Sequence, residues 1–114
     1  NVIHDQTGAP TYTVDLARAL VDITQSSSAS GIVHTTNSGS CTWYEFAKAI
    51  FKESGCEPAS LTPCSTADFP TPARRPANSR LSSDSLTALN IAPLPPWRDA
   101  LRRYLQETRQ TTTP

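Results

Sequence analysis

Asn1-Val-Ile-His-Asp-Gln6, Thr7-Gly-Ala-Pro10 and Thr11-Tyr-Thr-Val-Asp-Leu-Ala17 follow one another at the start of the chain, and their reading decides the architecture. Residues 1–6, with the apolar pair Val2 and Ile3, read as a short strand. Thr7-Gly-Ala-Pro10 reads as the turn that ends it, because glycine and proline punctuate the backbone. A helix follows, with Thr11 or Thr13 as its cap. Tyr12, Leu16, Leu20 and Ile23, with Ala17 and Val21 beside them, recur at helical spacing and make one apolar face. A strand followed by a helix is the repeating unit of α/β architectures.

The unit recurs once. Ser26-Ser-Ser-Ala-Ser30 is a polar linker, Gly31–Asn37 is β-branched and short enough for a strand, and Ser38-Gly-Ser40 breaks it. Thr42-Trp-Tyr-Glu45 is a capping box, in which hydroxyl and carboxylate each satisfy an otherwise orphaned amide. Trp43, Phe46, Ala47, Ile50 and Phe51 form the expected buried stripe behind it, and Gly55 ends the helix. The proline-rich stretch from Glu57 to Asn78 is expected to be extended, with at most one brief strand near Leu61–Cys64. Ser82 or Ser83 caps a short helix through Leu86 and Leu89. Pro95-Pro96 leads into a last helix with Trp97, Ala100, Leu101, Tyr104 and Leu105 in register.

The expected fold class is therefore α/β, an α+β fragment of about four helices with two or three short strands. So few strands make a poor sheet by themselves. The chain opens without a methionine, directly on Val2-Ile3, and reads as an excised part of a longer protein whose missing strands lie upstream. Residues 1–108 are expected to form one domain, and 109–114 a disordered tail with nothing to bury.

With 114 residues and 37% apolar content the chain supports one modest core. No apolar run approaches the ~20 residues that span a bilayer, and the start lacks the basic-then-apolar pattern of a signal peptide, so no membrane partner and a cytoplasmic location are expected. Cys41, Cys56 and Cys64 are odd in number and form no C-x-x-C pair, which favours free thiols over a disulfide framework or zinc site. Net charge is zero, but residues 1–65 carry three basic and six acidic groups, whereas residues 66–114 carry seven arginines and four acidic groups. That imbalance is too small for a nucleic-acid partner and suits one small anionic ligand.

Thr71-Pro-Ala-Arg-Arg-Pro-Ala-Asn-Ser-Arg-Leu81 is where such a ligand is expected. Its two prolines keep it out of regular helix, and its three arginines present planar forks of donors that match phosphate or carboxylate. The plainer reading is a solvated basic loop. Gly8, Gly31, Gly39 and Gly55 are scattered, so no dinucleotide fingerprint or P-loop can be drawn. His4 and His34 have no partner at metal-ligand spacing and read as structural, which leaves no metal site. Nothing supports a Cys-His nucleophilic pair. Asp5 caps the turn or binds a ligand hydroxyl. Trp43 and Trp97 each head a helical stripe and read as core rather than as sugar-stacking platforms.

Asp5-Gln-Thr-Gly-Ala-Pro-Thr11, Asp15-Leu-Ala17, Thr42-Trp43 and Arg75-Pro-Ala-Asn-Ser-Arg-Leu81, in that order and spacing, resemble the dTDP-4-dehydrorhamnose reductase family from the first residue to about Leu105. The resemblance implies an extended short-chain dehydrogenase/reductase, of which this chain is the C-terminal, nucleotide-sugar-binding portion. The family's N-terminal Rossmann domain, with NADPH and the Tyr-x-x-x-Lys pair, would lie upstream. No catalytic or cofactor-binding residue carries over, and the fragment alone is expected to be inactive and to bind no cofactor. The implied reaction is reduction of dTDP-4-dehydro-L-rhamnose to dTDP-L-rhamnose. Within it Arg75 is expected to neutralise the diphosphate, with Arg74 and Arg80 as weaker candidates. Asn78 and Ser79 would brace the loop, and Asn78, Gln6 and Thr11 are further candidates for contact with the dTDP-sugar. The resemblance leaves open whether the parent is a homodimer. Two rival readings are a non-catalytic regulatory subunit of the methionine adenosyltransferase type, which resembles the same family, and an independent small α/β binding module.

Overall fold

The computed structural model describes residues 1–58 and 60–111. Ten short elements follow one another: β1 (Val2–Ile3), β2 (Thr7–Gly8), α1 (Thr13–Gln25), β3 (Asn37–Ser38), β4 (Cys41–Thr42), α2 (Trp43–Ser54), β5 (Pro63–Cys64), α3 (Asp84–Ala88), β6 (Leu94–Pro96) and α4 (Trp97–Thr111). The four helices fall where the apolar spacing puts them. The strands are shorter and more divided than expected, and they form three separate pairs: β1 parallel to β5, β2 antiparallel to β4, and β3 parallel to β6.

Several local expectations give way to tertiary pairing. The strand expected over residues 1–6 shrinks to Val2–Ile3. Thr7–Gly8, expected as a turn, extends instead to pair with Cys41–Thr42 and bridges to Asn78. The strand expected over Gly31–Asn37 survives only at its end, as Asn37–Ser38. Neither Thr11 nor Thr13 caps α1; its N-cap is Tyr12, whose amide donates to Asn37 Oδ1 at 2.7 Å. Pro95 and Pro96 belong to β6, and α4 begins at Trp97. That helix runs to Thr111, past the boundary expected at residue 108; Thr112–Pro114 lie outside the described residues.

Other signals read as written. Thr42 accepts from the Glu45 amide and Glu45 accepts from the Thr42 amide, which completes the capping box of α2. Gly55 ends that helix in the left-handed region at φ 71°, where a Cβ would be strained. Ser83 is the N-cap of α3, but the cap bond comes from Ser82, whose hydroxyl accepts from the Asp84 amide.

The core is split in two. Ala49 of α2 packs with Cys41, Trp97 and Leu101, with Phe46, Ile50 and Leu105 around them, and the Phe46 and Trp97 rings meet edge to face at 5.8 Å. Ala19, Leu86 and Leu94 form the second cluster, with Ile23, Val33 and Ile91 beside it. Several residues expected in apolar stripes stay outside, among them Trp43 at 58% exposed, Val21 at 54%, Leu20 at 51% and Tyr104 at 48%. The buried side of α1 is Asp15 and Ala19, so its apolar stripe lies partly toward solvent. The molecule is a slab of 50 × 42 × 21 Å. No helix among the described residues is long and apolar enough to cross a membrane.

Candidate functional site

A cavity of about 560 Å³ opens between the start of the chain, the first turn of α2 and the arginine loop. Gln6, Thr7, Gly8, Ala9, Pro10 and Thr11 form one wall; Cys41, Thr42, Trp43 and Phe46 form another; Arg75, Pro76 and Ser79 close it. Identifiable bonds, one local and the others long-range, hold each wall. The capping box holds the first turn of α2, and with it Trp43 and Phe46, beside the opening. The arginine loop is clipped to β2 by backbone bonds, Thr7 N–H to Ala77 O at 2.8 Å and Ser79 N–H to Thr7 O at 2.9 Å. Gly8 leaves room there: a Cβ would stand 3.0 Å from the Ser79 hydroxyl, which would have to shift by a few tenths of an ångström.

The first wall is seated by a polar network. Asn37 is 1% exposed; its Oδ1 accepts from the Tyr12 amide, and its Nδ2 donates to Asp15 Oδ2 at 2.8 Å and to Pro95 O at 2.9 Å. Its own amide donates to Thr11 Oγ1 at 3.3 Å, and Thr11 Oγ1 donates to Ala9 O at 3.2 Å. Asp15 is buried and receives both terminal nitrogens of Arg103, at 2.8 and 2.6 Å, while Arg103 Nε donates to Asp99. The Arg103 bonds, ahead of the opposing effect of burial, hold the Asp15 carboxyl below the usual carboxylate range. The same partners raise the Arg103 guanidinium, so the pair stays ionised.

The residues singled out from sequence are distributed unevenly around this cavity. Gln6, Thr11 and Arg75 come together on it. Gln6 is buried and donates Nε2 to Thr66 Oγ1 at 3.2 Å; its Oε1 receives no bond among the described residues. Arg75 pairs with no carboxylate among the described residues. Arg74 and Arg80 are exposed and do not line the cavity. Asn78 Oδ1 accepts from both the amide and Nε of Arg80, which ties that guanidinium down at 3.0 Å. Asp5 is spent on Thr66, accepting from its amide and its hydroxyl, and these bonds lower its carboxyl.

Three further residues shape this site. Trp43, expected in the core, borders this cavity and a second small one formed with Asn1, Val2, Ile3 and Phe69. Helical spacing gives a direction around the axis but not the point along it where the core stops. Cys41 also lines the cavity, and burial pushes its thiol up to about 11. Asn37 seats the Thr11 segment from 26 residues away, for which sequence carries no local signal.

The chain is similar to known proteins in both sequence and fold. Residues 1–110 match the family model described as the RmlD substrate binding domain. The spore coat polysaccharide biosynthesis protein SpsK of Bacillus subtilis is 48% identical over 106 residues, covering 93% of this chain and 36% of the relative. A dTDP-4-dehydrorhamnose reductase of Mycobacterium tuberculosis is 37% identical over 113 residues, covering 99% of this chain and 37% of its own length. The crystal structure of a dTDP-4-dehydrorhamnose reductase from Clostridium acetobutylicum superposes with a TM-score of 0.89 at 38% identity, over 95% of this chain and 38% of that one. The reductase of Bacillus anthracis, solved in complex with NADP, gives 0.87 at 35% identity, over 93% and 37%. The chain thus spans a little over a third of the length of each of these relatives. Sequence motifs, fold and family model agree, and the chain belongs to the RmlD substrate-binding domain family.

Proposed function

We propose that this chain is the substrate-holding part of a dTDP-4-dehydrorhamnose reductase, which reduces dTDP-4-dehydro-L-rhamnose to dTDP-L-rhamnose with NADPH in the cytoplasm. The observation that carries the reading is the cavity on which the Gln6–Thr11 segment meets Arg75 of the distant arginine loop. Several relatives bear the name dTDP-4-dehydrorhamnose reductase, and another, from Streptomyces niveus, is named a dTDP-4-keto-6-deoxy-D-glucose reductase. These names share a dTDP carrier and a keto sugar, which supports a nucleotide-sugar ligand.

The glycine pattern supports placing NADPH outside this segment. The four glycines are scattered, and none forms a glycine-rich strand-to-helix cradle. The cofactor and the proton-transfer groups are therefore assigned to the remainder of the protein, and this segment alone to binding without turnover. A homodimer is compatible with this reading and is not required by it.

The work of this segment is positioning. Arg75 offers a positive fork to the diphosphate, and binding energy gained there, remote from the reacting carbon, holds the ketone in place for reduction. Gln6 and Thr11 supply polar contacts on the opposite wall. Arg74 and Arg80 act through the field of the loop rather than by contact.

The test uses the complete reductase that carries this segment. It should consume NADPH when given dTDP-4-dehydro-L-rhamnose, and calorimetry should show binding of dTDP-L-rhamnose in preference to a sugar phosphate lacking the nucleotide. Arg75→Ala should weaken the dTDP-sugar about 10- to 100-fold and leave cofactor affinity unchanged. Failure to turn over or bind any dTDP-4-keto sugar would overturn the reading; unchanged substrate affinity in the variant would remove Arg75 from the clamp.

A further inference from the structure

We infer that Trp43 is the platform on which the nucleobase of the ligand stacks, which makes it a specificity-determining residue of the cavity. The inference rests on the proposed nucleotide-sugar function and adds the subsite that recognises the base.

Trp43 is 58% exposed although it stands on the stripe that α2 otherwise turns toward the core. The other tryptophan, Trp97, is 6% exposed and packed against Phe46. An indole left open at the first position of a helix is costly to hydrate, and a capping box fixes the turn that carries it. Its surroundings divide by chemistry. Phe46 and Pro10 make the neighbouring wall apolar, whereas Arg75 is the cationic residue of the same cavity. Gln6 adds a carboxamide whose Oε1, still reached by solvent, accepts no bond among the described residues.

A ligand that satisfies this set has a flat, weakly polar ring at one end, an N–H to offer, and a dianionic group at the other. A pyrimidine nucleoside diphosphate has all three. Its ring gains stacking area on indole, the imide N–H can donate to a carboxamide oxygen, and the diphosphate meets the guanidinium. A hexose ring lacks the planar π-face that would draw full benefit from an open indole.

Competition constants in the complete reductase separate the subsites. Thymidine 5′-diphosphate, thymidine and inorganic pyrophosphate would be measured against wild type, Trp43→Ala and Trp43→Phe, with thermal unfolding as the folding control. The expected result is a loss of about 5- to 100-fold for the diphosphate and for thymidine in Trp43→Ala, with pyrophosphate unchanged and Trp43→Phe close to wild type. Equal weakening of all three ligands would mean that Trp43 only shapes the cavity, and would overturn the inference. So would unchanged constants throughout, while leaving the reductase reading intact. Absence of dTDP binding to the wild-type protein would overturn that reading and this inference together.

Discussion

Asp15, Asn37 and Arg103 show how a few buried polar atoms seat a binding wall. The carboxylate of Asp15 receives Arg103 and Asn37, and Asn37 passes the constraint to Tyr12 and Thr11. Replacing Arg103 by Met should cost about 3 kcal/mol, at the low end for breaking a buried pair, because Arg103 remains 29% exposed and Asp15 is left uncompensated. Urea denaturation of the two proteins measures it. The pH dependence has a definite sign. Asp15 is lowered in the folded state, so its stabilisation is complete above the unfolded value of about 4 and is lost as pH falls through the folded value. Urea midpoints should therefore fall more steeply below about pH 4 for wild type than for Asp15→Asn. Cys41 supplies a third expectation: its thiol, pushed to about 11 by burial, should resist alkylation at pH 8, whereas exposed Cys56 should label first in a mass-spectrometric time course.

At the level of elements, α2 is the part most completely written in local sequence. Its start is a reciprocal pair of side-chain bonds within four residues and its stop is a left-handed glycine, so neither needs a distant partner. Thr42→Ala should lower stability by about 1 kcal/mol. It should also loosen the turn bearing Trp43 and Phe46, seen as weaker dTDP-sugar binding; unchanged binding would show that the turn holds its place without the cap. The start of α1 is the opposite case. Two threonines stand where a cap is expected, but the Tyr12 amide is taken by Asn37, 25 residues on. The strands were the least legible elements. A two- or three-residue strand contains at most one alternation, which is too little to distinguish from a turn.

At the level of the whole molecule, the slab shape limits how much apolar surface can be covered. The radius of gyration is 16.6 Å, against about 13 Å for a compact chain of this length. Leu20, Val21, Ile32, Trp43 and Phe69 are all more than half exposed, and the two small core clusters do not merge. Open apolar area of this kind promotes association. The isolated 114-residue chain should therefore self-associate as concentration rises, and sedimentation velocity across a concentration series checks it; a monomer throughout would show that the exposed side chains are too dispersed to form a contact.

Sequence by itself determined what local chemistry can encode: the positions of the four helices, the capping box, the stop at Gly55, the proline-stiffened arginine loop and the motifs that mark the family. Tertiary structure alone decided which side of α1 is buried, that Thr7–Gly8 pairs as a strand, that Trp43 stays open, and that Gln6, Thr11 and Arg75 share one cavity while Arg74 and Arg80 do not. The physical reason is range. Caps and helical periodicity act within a few residues, whereas burial and strand pairing depend on partners tens of residues away, whose arrival leaves no mark in the local pattern.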